Sequence, residues 1–244
     1  MGVLRLRMVV DTGVDDALAL VAAVLHPGLD LVEVVATGGN VARSQSVANT
    51  RFVLGMLGVS AVPVPVTAGA GRRADGLPYA GRAVHGADGL AGLAPRGQPQ
   101  AAAPPAAPHE HTAARGALLV CLGPLTTLLG WDPGEVAATY ARPDEANYAL
   151  DPAAAARVRG TWHVHDAPAP EDAAAVAQAI DRAADRRARL LATDLGRLVV
   201  SLLAHQAARG TGLGDADAVL RLAGESRPVD TLAEILRVWE HMRT

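Results

Sequence analysis

Apolar and polar positions alternate at the start of the chain and then give way to a solid apolar run: Val3 to Val10 carries Arg5 and Arg7 between apolar residues and closes on Met8-Val9-Val10. The polar cluster Asp11-Thr12-Gly13-Val14-Asp15-Asp16 follows at once, so the pattern predicts a strand feeding a turn. From Ala17 to Leu25 helix formers run without a breaker, and His26-Pro27-Gly28 stops them. The unit then repeats. Leu31 to Ala36 reads as a β-branched strand, Gly38-Gly39-Asn40 as a turn, Ser44 to Leu57 as a helix ended by Gly58, and Val62 to Val66 as a third strand. Further on, Ala117 to Leu122 reads as a buried strand and Gly123-Pro124-Leu125-Thr126-Thr127 as a turn opening a short helix. Beyond Asp151 the pattern is mostly helical: Pro152 to Val158, a short strand Trp162-His163-Val164, then Glu171 to Ala192, Leu195 to Ala208, Asp215 to Ala223 and Thr231 to Met242.

Strands alternating with helices at this spacing predict an α/β fold, a mainly parallel sheet flanked by helices in a Rossmann-like open arrangement, with a mostly helical C-terminal third. Residues 1–244 read as one domain, interrupted by a Pro/Ala-rich surface loop over 92–116. Ligands of such sheets bind at the carboxyl ends of the strands. That rule gathers Asp11, Asp15, Asp16 and Asn40 on one rim, because each follows a predicted strand end.

Composition narrows the functions. With 244 residues, 50% of them hydrophobic and 19% charged, the chain is long enough for a core and a pocket, since a fold of this size buries roughly 70–75% of the surface its unfolded chain exposes. Its 22 basic residues face 25 acidic ones for a net charge of −3, with no basic run longer than a pair such as Arg186-Arg187. That balance offers nucleic acid no electrostatic footprint. The lone cysteine, Cys121, cannot form an internal disulfide, and the first Asp, at position 11, comes too early for a signal peptide, so the expected address is the cytoplasm. No apolar run approaches the roughly 20 residues that cross a bilayer, so no membrane role is expected.

Three carboxylates within six positions at a strand-to-helix turn repel one another unless a cation offsets them. Asp oxygens on a loop suit a hard ion such as Ca²⁺ or Mg²⁺. The plainer reading is that Asp11 or Asp15 caps the helix, whose N-terminus favours acidic residues anyway. Asn40 after two glycines is equally readable as a turn residue in the left-handed region, and Asp215 as the N-cap of its own helix. Glu145 and Asn147 read as exposed polar residues before the helix at Pro152, and His85 as a loop histidine. His163, His165 and Asp166 look like a metal cluster until the alternation of a strand is noticed. Cys121, in a predicted buried strand, behaves as a small apolar residue.

The run Val10-Asp11-Thr12-Gly13-Val14-Asp15-Asp16-Ala17-Leu18-Ala19-Leu20 resembles the N-terminal signature of the inosine–uridine-preferring nucleoside hydrolases, Asp-x-Asp-Pro-Gly-x-Asp-Asp before an Ala- and Leu-rich helix. Further matches follow in the family's order: Gly39-Asn40, Asn49, His85-Gly86-Ala87-Asp88-Gly89-Leu90, Gly123-Pro124-Leu125-Thr126, and Glu145-Ala146-Asn147 ahead of Asp151-Pro152-Ala153-Ala154-Ala155. The likeness covers most of residues 3–158, and Leu213 to Val219 resembles the family's late His-Asp segment. It implies a nucleoside hydrolase-like fold and hydrolysis of the N-glycosidic bond of a ribonucleoside to free base and ribose, within purine and pyrimidine salvage. A Ca²⁺ that binds both the water and the ribose hydroxyls would activate and orient together.

Carried over by position, the resemblance makes Asp11 an ion ligand and the acceptor of the water's proton, Asp16 a bidentate ligand, and Asp215 the remaining carboxylate ligand. The backbone carbonyl of Leu122 completes the set. Asp15 would face the ribose hydroxyls, with Asn40, His85, Glu145 and Asn147 on the substrate side. The resemblance is also compatible with a homo-oligomer, a dimer or a tetramer.

The chain departs from the family's pattern at several points. Val9 replaces the first Asp of the signature, Thr12 its Pro, and Thr127 the Asn that ends Gly-Pro-Leu-Thr-Asn. Gly214 stands where some members have a His that protonates the leaving base. The stretch Trp131 to Asn147 reads as too short for the family's strand with Met-Gly-Gly and its following Gly-Asn loop, so a sheet strand and one sugar-binding Asn are expected to be absent. These losses keep open a non-catalytic ribose- or nucleoside-binding relative. A phosphotransfer enzyme of the haloacid dehalogenase type also ends its first strand on an Asp. Gly13 in place of its second Asp, and the absence of any lysine, speak against it.

Overall fold

The computed structural model describes residues 3–25, 29–59, 66–68, 81–95, 116–131, 135–139, 146–161, 163–166, 198–199, 201–202, 205, 208 and 215–222. In chain order the elements are β1 (Leu4–Val10), α1 (Val14–Leu25), β2 (Leu29–Ala36), α2 (Arg43–Met56), β3 (Val66–Ala68), the single turn α3 (Arg82–His85), β4 (Leu118–Cys121), a 3₁₀ turn (Leu125–Leu128), β5 (Glu135–Thr139), α4 (Ala146–Leu150), α5 (Pro152–Thr161), β6 (His163–Asp166) and α6 (Asp215–Leu222). The strands form one sheet in the order β3-β2-β1-β4-β5-β6, every pair parallel. Chain direction across the sheet reverses between β1 and β4. A crevice therefore opens beyond the carboxyl ends of those two strands, which is where open α/β sheets bind ligands.

Helix α1 is apolar nearly all round, as only a buried helix can be. Val14, Ala17, Leu18, Ala19, Leu20, Val21, Ala22 and Ala23 are all shielded from solvent. Leu6, Met8 and Val10 of β1 face this side, with Val53 and Leu54 of α2 and Val219 of α6 completing the cluster. The opposite sheet face carries Val9, Val35, Leu119 and Cys121 against Leu125, Leu128, Ala155 and Val158. Burial of each large apolar side chain contributes about 1.5–3 kcal/mol. The consequence for the site is positional: a helix locked on all sides holds its first turn, and so Asp15 and Asp16, rigidly at the crevice.

The expected loss of a strand is corrected here. Residues 135–139 form β5, hydrogen-bonded to β4 on one side and β6 on the other, so the sheet runs on without a gap. The strand is five residues of Glu-Val-Ala-Ala-Thr, too Ala-rich and too short to register as a buried strand in the sequence pattern. Of the third strand, Val66–Ala68 is described and runs two residues past its expected end, and positions 62–65 of the expected span lie outside the described residues. Strand β6 extends past the expected Val164 to Asp166, and Trp162 lies outside the described residues. Of the helical C-terminal third, α6 and a few helical residues between 198 and 208 are described; the helices expected over 171–192 and 231–242 lie outside the described residues, as does most of the 92–116 loop. No described helix is long and apolar enough to cross a membrane.

A largely shielded ion pair sits on the face of β1 that also carries Arg5. Arg5 stays at the surface beside Asp30, whereas Arg7 turns inward, its Nε donating to Glu33 Oε2 at 2.7 Å and its guanidinium 5.1 Å from the centre of the Trp131 ring. Removing one partner of such a pair strands a buried charge. Glu33→Ala should therefore lower unfolding stability by about 3 kcal/mol in urea denaturation. A loss under about 1 kcal/mol would show the pair to be screened like a surface one.

Candidate metal and substrate site

The site is built from the three segments that follow β1, β2 and β4, with the first turn of α6 added from the far end of the chain. Asp11 leaves β1 fully buried, and its Oδ2 accepts the backbone N–H of Asn40 at 2.6 Å. Asp16, in the first turn of α1, folds its Oδ2 back onto the Gly13 N–H at 2.7 Å, and the Asn40 Nδ2 donates to the same oxygen at 3.2 Å. The cap expected from Asp11 or Asp15 is not made by either; Asp16 supplies it, with one oxygen on the Gly13 N–H at the start of α1. The second oxygens tell more. Asp11 Oδ1, Asp15 Oδ1 and Asp16 Oδ1 are all buried without a hydrogen-bond partner. Buried carboxylate oxygens are rarely left so, and unpartnered ones call for an ion or water.

Asp215 enters because α6 packs along α1. Each of Asp15, Asp16 and Asp215 offers an oxygen within 4.8 Å of the others, the one such group among the described residues. Burial pushes the Asp11 carboxyl up to about 7, with the charge of Asp15 adding to it. Burial likewise raises Asp16, reinforced by Asp11 and Asp15, and raises Asp215, reinforced by Asp15, Asp16 and Asp11. Four carboxyls forced together, three of them buried, are a cost to the bare fold that a divalent cation would relieve. Because every donor is oxygen, a hard cation of the Ca²⁺ or Mg²⁺ type fits.

His85 is brought to the same place, mostly buried, with its Nδ1 accepting the Val14 N–H at 3.2 Å and lying 3.6 Å from Asp15 Oδ1. In the tautomer that this bond selects, the ring carries its proton on Nε2 and can donate through that nitrogen. Asn40 does not adopt the left-handed backbone its turn reading required, since Ala91 is the single non-glycine residue with positive φ among those described. Leu122 and Asn147, assigned by resemblance to the ion and the sugar, are joined to each other: the Asn147 Nδ2 donates to the Leu122 carbonyl at 2.6 Å. Glu145 lies outside the described residues.

Other matched positions turn out to hold the site's frame. Asp88 gathers the N–H groups of Leu90, Gly92 and Ala94, which shapes the turn that presents His85. Asp151 caps α5 through the Ala154 N–H and accepts the Thr126 hydroxyl. Thr127, in place of the family's Asn, donates to Thr37 Oγ1 at 2.8 Å, and Thr12, in place of Pro, pairs with Thr50 Oγ1 at 2.6 Å. Cys121 is buried, its thiol held un-ionised first by that burial and then by the charge of Asp11. Gly39 is a residue whose role no side-chain reasoning would reveal: a Cβ there would collide with Asp11 Oδ2. Gly39→Ala should push Asp11 out of place, weakening Ca²⁺ binding in calorimetry at least about tenfold while costing about 1–3 kcal/mol of stability. Unchanged affinity in a folded Gly39→Ala protein would mean that Asp11 does not take part in holding the ion.

Comparisons with known proteins place the chain by family and by fold. Residues 8–129 match the family described as inosine-uridine preferring nucleoside hydrolase. An uncharacterized protein in the ribF 3′ region of Corynebacterium ammoniagenes is 43% identical over 89 residues, 36% of this chain and 92% of that protein. Among solved structures, a purine-preferring ribonucleoside hydrolase from Gardnerella vaginalis superposes with a TM-score of 0.69 at 21% identity, covering 90% of this chain and 79% of that one. A plant nucleoside hydrolase gives 0.64 at 20% identity over 90% of this chain and 78% of its own. An inosine-uridine preferring nucleoside hydrolase from Bacillus anthracis gives 0.59 at 14% identity over 90% and 82%. At these identities the structural likeness speaks to the fold.

Proposed function

The chain belongs to the inosine-uridine preferring nucleoside hydrolase family, and from that premise we propose that it hydrolyses the N-glycosidic bond of ribonucleosides, using Ca²⁺ held at the crevice between β1 and β4. The observation that carries the proposal is the set of buried, unpartnered oxygens on Asp11, Asp15 and Asp16, with Asp215 joining from α6. Asp11, Asp16, Asp215 and the Leu122 carbonyl would hold the ion. When bound, it supplies water activation at neutral pH and a fixed seat for ribose hydroxyls. Asp11, whose Oδ1 is buried without a partner while Oδ2 is held by the Asn40 N–H, would accept a proton from an attacking water. Asp15, only partly buried, is the carboxylate left to meet the ribose hydroxyls, with Asn40, His85, Glu145 and Asn147 supplying donors and acceptors around them. Rigid placement of water against the anomeric carbon supplies much of the acceleration such a reaction needs. We place the work in the cytoplasm, in base salvage.

The continuous sheet removes one motive for a purely binding role, since β5 occupies the position expected to be lost. Reducing-sugar release from a panel of ribonucleosides, by the wild type and Asp11→Ala, tests the proposal. Release by the wild type and its loss in the variant is expected. Nucleoside binding without any release would move the assignment to the non-catalytic relative.

A further inference from the structure

We propose that Asn49 is a positioning residue for the cation site, acting on Asp16 through the Thr12–Gly13 peptide group; the inference rests on the cation reading above and deepens it. Asn49 lies wholly buried on α2, away from the carboxylates, and uses its amide fully. Its Nδ2 donates to the Thr12 carbonyl at 3.1 Å and to the Asp88 carbonyl at 2.8 Å, and its Oδ1 accepts Gln45 Nε2 at 2.8 Å. The Gln45 contact fixes which end of the amide faces inward. The chain opens a way for it at Gly89, where φ is +81° and a Cβ would come within 3.0 Å of Asn49 Nδ2.

The Thr12 carbonyl and the Gly13 N–H are the two ends of one planar peptide, so gripping the first aims the second. That N–H is the 2.7 Å donor to Asp16 Oδ2. A continuous relay therefore runs from Gln45 through Asn49 and the peptide to Asp16, each bond polarising the next. Its effect is to spend Oδ2 on the protein and leave Oδ1, buried and without a partner, facing the site. The second Asn49 bond, to Asp88, ties the same peptide to the turn that presents His85. Both sides of the site are thus registered by one side chain that would not itself touch ion or substrate.

Asn49→Asp keeps the shape and removes both donors, and Asn49→Ser is the smaller alternative should buried charge prevent folding. Val53→Ala, in the core of the same helix, serves as a variant destabilised without touching the relay. Two readouts are taken on folded, cation-free protein: calorimetric Ca²⁺ affinity, and hydrogen exchange of the Gly13 amide. The Asn49 variants should bind Ca²⁺ about tenfold to a hundredfold more weakly, with the Gly13 amide exchanging faster, while Val53→Ala binds as the wild type does. Gln45→Ala, which frees the amide to turn, should weaken binding about threefold. Wild-type affinity and unchanged Gly13 exchange in the Asn49 variants would overturn the inference. A wild type that binds no Ca²⁺ while Asn49→Asp still accelerates Gly13 exchange would sustain the relay and overturn the cation reading instead.

Discussion

Asp16→Asn should abolish Ca²⁺ binding and reduce base release by about a thousandfold, the loss expected when about 4 kcal/mol of metal-dependent transition-state stabilisation is removed. The substitution separates folding from function because the two oxygens of Asp16 have different duties. The amide oxygen of asparagine can still accept the Gly13 N–H that now meets Oδ2. The amide nitrogen takes the place of Oδ1, which has no partner within the protein, and a nitrogen with two hydrogens cannot ligate a cation. Removing a buried charge that Asp11 and Asp15 both oppose also relieves repulsion in the cation-free protein. Its melting temperature at pH 8 should therefore equal or exceed that of the wild type. A folded Asp16→Asn protein retaining more than a tenth of the activity would contradict the assignment.

The second large effect is on stability. Asp11 has the ordinary carboxyl value of 3.8 when unfolded but is pushed up to about 7 in the fold, chiefly by burial. The folded protein therefore binds more protons than the unfolded one across that window, and stability falls as pH rises through it. The raised Asp16 and Asp215 carboxyls act in the same direction. Cation-free protein should thus melt at a progressively lower temperature from pH 5 to pH 8. Added Ca²⁺ at a hundred times its dissociation constant should stabilise by about 2.7 kcal/mol, roughly 5–10 °C for a chain of this size. The gain should be greatest at pH 8, and binding at pH 6 should release protons, readable from calorimetry in buffers of different ionisation heat. A melting temperature indifferent to pH and to Ca²⁺ would mean that the carboxyls are relieved by something other than an ion.

Much of this arrangement was legible in the sequence because its strongest signals are local. Strands β1, β2 and β4 are marked by apolar runs, and their expected bounds hold to within two residues. The acidic turn after β1 needed only the rule that strand ends carry ligands, whereas Asp215 needed the resemblance, since nothing local distinguishes it from a helix cap. What escaped was non-local or carried by the backbone. Strand β5 is Ala-rich, and its stability comes from pairing with β4 and β6 rather than from its own side chains. Arg7 looks like a solvent-facing residue until Glu33 and Trp131 are folded against it. Asn49 was visible as a matched position without a duty, because the two groups its amide nitrogen donates to are backbone carbonyls far off in sequence. The pairing of Asn147 with the Leu122 carbonyl is hidden for the same reason: a carbonyl carries no signature in the residue to which it belongs.

The most direct test of the central claim is to strip the protein with a chelator and titrate Ca²⁺ back while following base release from ribonucleosides and, in parallel, the binding of the ion. The account predicts a negligible rate in the stripped protein and recovery with the same half-saturation as binding. Full activity in the chelated protein, or saturating Ca²⁺ with no base released from any ribonucleoside, would contradict it.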